Sequence, residues 1–97
     1  MLAKLMQRER GAFDWDEGNE SELARHHITP EEVEQVFDND PVWASNKRNR
    51  PGNRLMIGRT NSGRDLTVVV RIQPERELIR AITGWDSTRG ERTRYGR

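Results

Sequence analysis

The sequence predicts an α+β fold: an antiparallel sheet of about four to five strands, two N-terminal helices on one of its faces and a short C-terminal helix. Three observations predict it. Thr29-Pro30-Glu31-Glu32 is a complete helix-start signal. At Val42 the apolar pattern changes from helical spacing to strand-like runs. Beyond it, Asn61-Ser62-Gly63-Arg64 and Gln73-Pro74-Glu75-Arg76 are short, turn-forming connections between such runs.

Residues 1–12 read as an N-terminal extension, because Leu2, Leu5 and Met6 have helical spacing but Gly11 follows too soon for an independent helix. A single domain then spans 13–97. Phe13-Asp14-Trp15 alternates apolar and acidic residues as a short strand does, and Asp16 or Asn19 caps a helix running to about His26 with a thin stripe of Leu23 and Ala24. Thr29 caps the second helix, with Pro30 at its first position and Glu32 completing a capping box. Val33, Val36 and Phe37 form its buried face, and Asn39-Asp40-Pro41 stops it.

Four β runs follow, near Val42 to Asn46, Arg54 to Thr60, Asp65 to Ile72 and Leu78 to Gly84, and in sequence order they imply a meander. Lys47 to Asn53 is a basic loop. In the third run Leu66, Val68, Val70 and Ile72 share one face, expected to pack on the helices, while Thr67, Val69 and Arg71 share a more open face where a ligand has room. Ser87 or Thr88, followed by Glu91, caps a last short helix carrying Arg89, Arg92 and Arg94 towards Tyr95, and Thr88 has capping-box spacing with Glu91.

Leu, Ile, Val and Phe make up 19 of the 97 residues, a level compatible with disorder only when net charge is high; here it is +1, so the chain folds. A domain this small has little stability to spare and gains from a partner subunit. Without cysteine, disulfides, thiolate metal sites and cysteine nucleophiles are excluded. Met1 to Arg10 lacks the apolar run of a signal peptide and no segment has the apolar length of a membrane span, so a soluble, cytoplasmic protein is expected.

Charge is divided along the chain. Met1 to Trp43 holds 4 basic against 11 acidic residues, and Ala44 to Arg97 holds 13 against 5, with 12 of the 13 being arginine. Arginine forks bidentately onto phosphate and stacks on bases, so the second half suits RNA. The plainer alternative is that acidic helices and basic strands neutralise each other within the fold.

His26 and His27 are adjacent, diverge on a helix and have no histidine four residues on, which argues against a metal site. The sequence holds no Gly-rich phosphate loop, no Gly-x-Ser-x-Gly turn and no helix-turn-helix. A chemistry that needs none of these is RNA cleavage by the substrate's own 2′-hydroxyl. It requires a base, an acid and cations for the phosphate. The arginines supply the cations, with His26 or Tyr95 in proton transfer. For His26, and for any single arginine, a structural or solvated role is the competing reading.

Phe13-Asp14-Trp15-Asp16-Glu17-Gly18-Asn19, Ala24-Arg25-His26, Thr29-Pro30-Glu31-Glu32-Val33 and Val36-Phe37 resemble the opening of BrnT-type toxins. Ile57-Gly58-Arg59-Thr60, the strand Leu66 to Val70, Ile79-Arg80-Ala81-Ile82-Thr83 and the tail Thr88-Arg89, Glu91-Arg92 and Tyr95 resemble the rest, from about Phe13 to Tyr95. The resemblance implies a RelE-like fold, a metal-independent and cofactor-free endoribonuclease that blocks translation, and neutralisation by a ribbon-helix-helix antitoxin of the BrnA type, as a homodimer or a toxin–antitoxin heterotetramer. It implies catalytic roles at Arg59, Arg80, His26 and Tyr95, and RNA contacts at Arg54 and Arg92; Arg48 and Arg71, as basic residues of the second half, and Trp85, as a stacking residue, are expected as further RNA contacts outside the family pattern. The chain departs from the family at His27, where glycine is usual, and at Gly84-Trp85, where an Ala-Arg pair is usual.

The second departure removes an arginine from the expected site. Trp85 is then either a base-stacking residue, a core residue or a partner contact, and Trp15 and Trp43 are expected as core or interface anchors. The departure motivates the alternative of a decayed module that binds RNA or an antitoxin without cutting. On that reading Trp85→Arg creates or raises nuclease activity. Direct DNA recognition lacks a recognition helix.

Overall fold

A computed structural model describes residues 11–45 and 53–96. The basic loop with Arg48, and most of the N-terminal extension, lie outside the described residues. Helix α1 spans Glu17–Ala24, α2 Pro30–Asp38, and four strands follow: β1 Val42–Ser45, β2 Asn53–Arg59, β3 Asp65–Gln73 and β4 Leu78–Asp86. Helix α3, Arg89–Tyr95, comes last. The strands form one antiparallel sheet in the order β1-β2-β3-β4, the expected meander. Phe13 adds a parallel bridge to Ile79 on the outer edge of β4, with Asp14 N–H donating to Ile79 O at 2.9 Å and Ile79 N–H to Ala12 O at 2.7 Å. The sheet therefore has four full strands and a rudimentary fifth.

Among the described residues, α1, α2 and α3 start with the same device, a reciprocal capping box at Asp16/Asn19, Thr29/Glu32 and Thr88/Glu91. This satisfies backbone N–H groups that a first turn leaves unpaired. Asp16, not Asn19, is the cap of α1, and that helix ends two residues earlier than expected. Its inner face is Leu23 with Asn19, while Ala24 is exposed. Buried Asn19 earns its place by donating to Asp14 O at 2.9 Å and Ala81 O at 3.0 Å, which pins α1 to β4.

The core lies between the helices and the face of the sheet that carries Met56, Leu66, Val68, Val70 and Ala81, and Leu23, Ile28, Val33 and Val36 fill it from the helix side. Two glycines allow this approach. A Cβ on Gly58 would stand 3.3 Å from Val36 and Pro41, and one on Gly84 3.0 Å from Thr67 O and 3.4 Å from Ile28 and Leu23. Ile72 does not follow its strand-mates inward and is 40% exposed, as is Trp43 at 43%. Trp43 is on an edge strand. It still joins an aromatic row: Phe37 packs edge-on against Trp43 at 6.3 Å and Phe13 at 5.4 Å, and Trp15 stacks on Phe13 at 5.7 Å.

The other face of the sheet is not the open surface expected. Thr67 and Val69 are buried on it as well, and α3 folds back over the Thr67 end. A register shift between Val69 and Val70 in the pairing with β4 leaves Ile82 as the extra residue of a bulge.

His27 sits in the left-handed region at φ 60°, where a side chain on Cβ costs about 1 kcal/mol or more and glycine costs nothing comparable. His27→Gly is expected to raise stability by about 1 kcal/mol, read as a rise of roughly 5 °C in Tm. A fall would mean that the imidazole contributes more than its backbone strain removes.

Candidate functional site

The largest gathering of predicted site residues is a cleft of about 440 Å³ at the end of the sheet where α2, β2 and α3 meet. Arg59 from β2 and Arg92 and Tyr95 from α3 line it, with Asn39, Asp40 and Asp65. Local structure explains how they arrive there. The turn Thr60 to Arg64 closes on itself through Thr60 N–H to Arg64 O at 2.9 Å and Gly63 N–H to Thr60 O at 3.0 Å, with Gly63 at φ 92°. That hairpin sets Arg59 directly opposite Asp65, and Arg59 Nε donates to Asp65 Oδ1 at 3.0 Å. Asn39, the C-cap of α2, donates to Arg59 O at 2.9 Å and Asn61 Oδ1 at 3.0 Å, fixing the hairpin to the helix.

Helix α3 brings the other two groups. Arg92 Nη1 donates to Ser87 O at 2.7 Å. The Arg94 guanidinium lies 5.5 Å from the centre of the Tyr95 ring.

The remaining predicted residues are elsewhere. Arg80 is 27% exposed and is held by Asp14 Oδ2 at 3.3 Å and Asp16 Oδ2 at 3.0 Å, beside the start of α1. Arg76 shares Asp14 at 3.2 Å. The opening Phe13-Asp14-Trp15-Asp16 segment is thus a bracket: its two acids grip Arg80 of β4 and Arg76 of the β3–β4 turn, while Trp15 Nε1 donates to Glu34 Oε2 of α2 at 2.8 Å. His26 Nε2 stands 3.4 Å from Glu22 Oε2, and the same Glu22 oxygen accepts from the Thr83 hydroxyl at 2.8 Å. Neither Arg80 nor His26 lines the cleft.

Arg54 and Arg71 are also apart from it. Arg54 is five residues from Arg59 on an unbroken strand, so alternation places the two on opposite faces. Arg71 stands six residues along β3 from Asp65, roughly 20 Å at the rise of a strand. Trp85 is half-buried beneath α3, its indole N–H donating to Glu91 Oε1 at 3.0 Å. It is neither stacked in the open nor part of the main core.

Two residues escaped the sequence reading. Asp65 orients Arg59 at the rim of the cleft. Arg64 uses all five of its N–H donors: Nε and Nη2 on Asp86 at 2.7 and 3.1 Å, Nη1 on Glu32 Oε1 and His27 O at 3.1 and 2.7 Å, and Nη2 on His26 O at 3.3 Å. The Asp86 carboxylate raises the Arg64 pKa above its usual value, and Arg64 in turn lowers that of Asp86. Their signal in the sequence was weak, one polar residue in a turn among many.

The two halves of the chain do neutralise each other in part, through Arg64, Arg76 and Arg80 on acids of the N-terminal half. Hydrogen bonds also set carboxyl acidity. The Asn19 backbone lowers the Asp16 pKa, and the Thr83 hydroxyl lowers that of Glu22. Burial pushes the Glu91 carboxyl up, but bonds from the Thr88 backbone, Trp85 and Thr67 outweigh it and leave the group below its ordinary value. A carboxyl depressed in the folded state stabilises above its unfolded pKa, near 3.8 for Asp and 4.5 for Glu, and that stability is lost as pH falls through the folded value. Tm is therefore expected to hold from pH 7 to 5 and to drop by on the order of 5 °C or more by pH 3, mainly through Glu91, the least exposed of the four. A Tm flat to pH 3 would contradict the network.

Among the described residues no group of three His, Asp or Glu side chains is placed to hold a metal ion, and no helix is long and apolar enough to cross a membrane. No protein-family model matches the chain, and no curated protein or solved structure matches it either.

Proposed function

We propose that the protein is a metal-independent endoribonuclease of BrnT type, the toxin of a toxin–antitoxin pair, with its RNA site in the cleft of Arg59, Arg92 and Tyr95. The observation that carries this reading is the convergence itself: residues 33 and 36 positions apart, all singled out by their motifs, line one cleft. In that cleft Arg59 and Arg92 hold the scissile phosphate and stabilise its developing charge. The 2′-oxygen bonds to phosphorus, the P–O5′ bond breaks, and the Tyr95 phenol is placed to protonate the departing oxygen. The Asp65 carboxylate on the same wall is an acceptor for the 2′-hydroxyl proton. The left-handed backbone at His27 also supports the resemblance, since glycine, the family's usual residue there, is what that conformation favours.

The test is incubation of purified protein with end-labelled RNA in EDTA. Cleavage leaving 2′,3′-cyclic phosphate ends is the expected result. Intact RNA with binding retained would favour the second reading, a module that binds without cutting. The observation behind that reading is that Arg80 and His26 are engaged with acids away from the cleft.

A further inference from the structure

Helix α3 carries Arg92 and Tyr95 yet has no buried residue with which to grip the sheet. Three of the hydrogen bonds at its start converge on one atom. Glu91 Oε1 accepts from the Thr88 backbone N–H at 2.8 Å, from Trp85 Nε1 at 3.0 Å and from the Thr67 hydroxyl at 3.1 Å. Since Thr67 donates to Glu91, Ser87 Oγ at 2.9 Å donates to Thr67. Thr67 and Ser87 are both buried, so this chain of bonds is shielded and each member is costly to leave unpaired. Glu91 and Tyr95 are four apart on α3, and therefore lie on one face of it.

We infer that Glu91 and Trp85 are positioning residues for the cleft: their hydrogen bond seats α3 on β3 and β4 and thereby places Arg92 and Tyr95 opposite Arg59. The inference rests on the reading of the cleft as the RNA site. It gives the Trp85 departure a function of its own. Where the resemblance expects an arginine, this chain has a donor without charge, which can only donate and serves the Glu91 carboxylate, Oε1 at 3.0 Å and Oε2 at 3.3 Å. Because Oε1 receives all three donors, with Trp85 Nε1 only secondarily near Oε2, seating α3 needs an acceptor at Oε1, and the carboxylate charge adds strength to those bonds. Glutamine supplies the acceptor and alanine does not.

The experiment compares wild type, Glu91→Gln, Glu91→Ala, Trp85→Phe and the double variant Trp85→Phe/Glu91→Ala. Amide hydrogen exchange and steady-state cleavage of a 5′-labelled RNA oligonucleotide are read on each. In Glu91→Ala the α3 amides should exchange at least tenfold faster while those of β2 and β3 keep their rates, and kcat/KM should fall at least tenfold, with KM raised. Trp85→Phe should show the same pattern at about threefold. The double variant should be no worse than Glu91→Ala, because both changes remove one contact. Glu91→Gln should stay within threefold of wild type. Unchanged α3 exchange in both Glu91→Ala and Trp85→Phe, or Glu91→Gln as impaired as Glu91→Ala, would overturn the inference. Should Glu91→Ala lose β2 and β3 protection as well, Trp85→Phe and Glu91→Gln decide alone. If wild type neither binds nor cleaves RNA, the functional reading falls, and the exchange data still decide whether Glu91 and Trp85 seat α3.

Discussion

Arg64→Ala is expected to lower the stability of the fold by about 2 kcal/mol, seen as a fall of roughly 10 °C in Tm or an equivalent shift of the urea midpoint. The guanidinium joins three parts of the chain that are distant in sequence: the β2–β3 turn that bears it, the α1–α2 connection through His26 O and His27 O, and the end of β4 through Asp86. Removing it leaves the Glu32 and Asp86 carboxylates facing each other's neighbourhood without the cation, and two carbonyls without their donor. Charged hydrogen bonds contribute about 1.5 to 3 kcal/mol when shielded. The figure is kept low because Asp86 is 66% exposed and solvent screens its share. Arg64→Lys is expected to recover less than half of the loss, since an ammonium cannot serve the fork on Asp86 and the two carbonyls together. A measured change below about 0.5 kcal/mol for Arg64→Ala would show that water replaces the network at no cost.

The elements were legible because their signals are local. Capping boxes lie within four residues of chain, and the meander is written in four apolar runs and two turns. All of these appear in the structure with ends shifted by one or two residues. The Arg54 placement was also legible in principle: five residues on an unbroken strand put Arg54 and Arg59 on opposite faces, so a single patch holding both needed a bulge that β2 lacks. What the sequence did not show is where α3 goes. Alternation marks Thr67 and Val69 as one face of β3, but the burial of Thr67 involves a helix over twenty residues on, held to it by a polar bond from Glu91 and not by an apolar stripe. The same limit applies to Arg80. Its motif marks it as important, and only the bridge of Phe13 to Ile79 brings Asp14 and Asp16 close enough to occupy it.

Arg59→Ala is expected to reduce RNA cleavage at least 100-fold, the usual scale for removing one group aimed at transition-state charge, while changing stability by no more than about 0.5 kcal/mol. The two halves of this expectation come from one observation. Arg59 is 66% exposed and lines the cleft, and its described ion pair runs through Nε to Asp65, so the fold depends little on it. Alanine is a cleaner test than charge reversal, because a carboxylate at this position would stand directly across the strand from Asp65 and repel it. Arg80→Ala should behave in the opposite way: it removes the ion pair of Asp16 and one of the two on Asp14, which keeps Arg76, loosening the N-terminal bracket, with cleavage reduced only as far as folding is. Salt dependence separates the two further. Each phosphate contact to single-stranded RNA contributes about 0.7 to the slope of log K against log salt, so Arg59→Ala should flatten that slope by about this amount and Arg80→Ala should leave it unchanged. If Arg80→Ala flattens the slope and Arg59→Ala does not, the RNA lies along the β4 edge, and the cleft at the end of β2 is not where the phosphate binds.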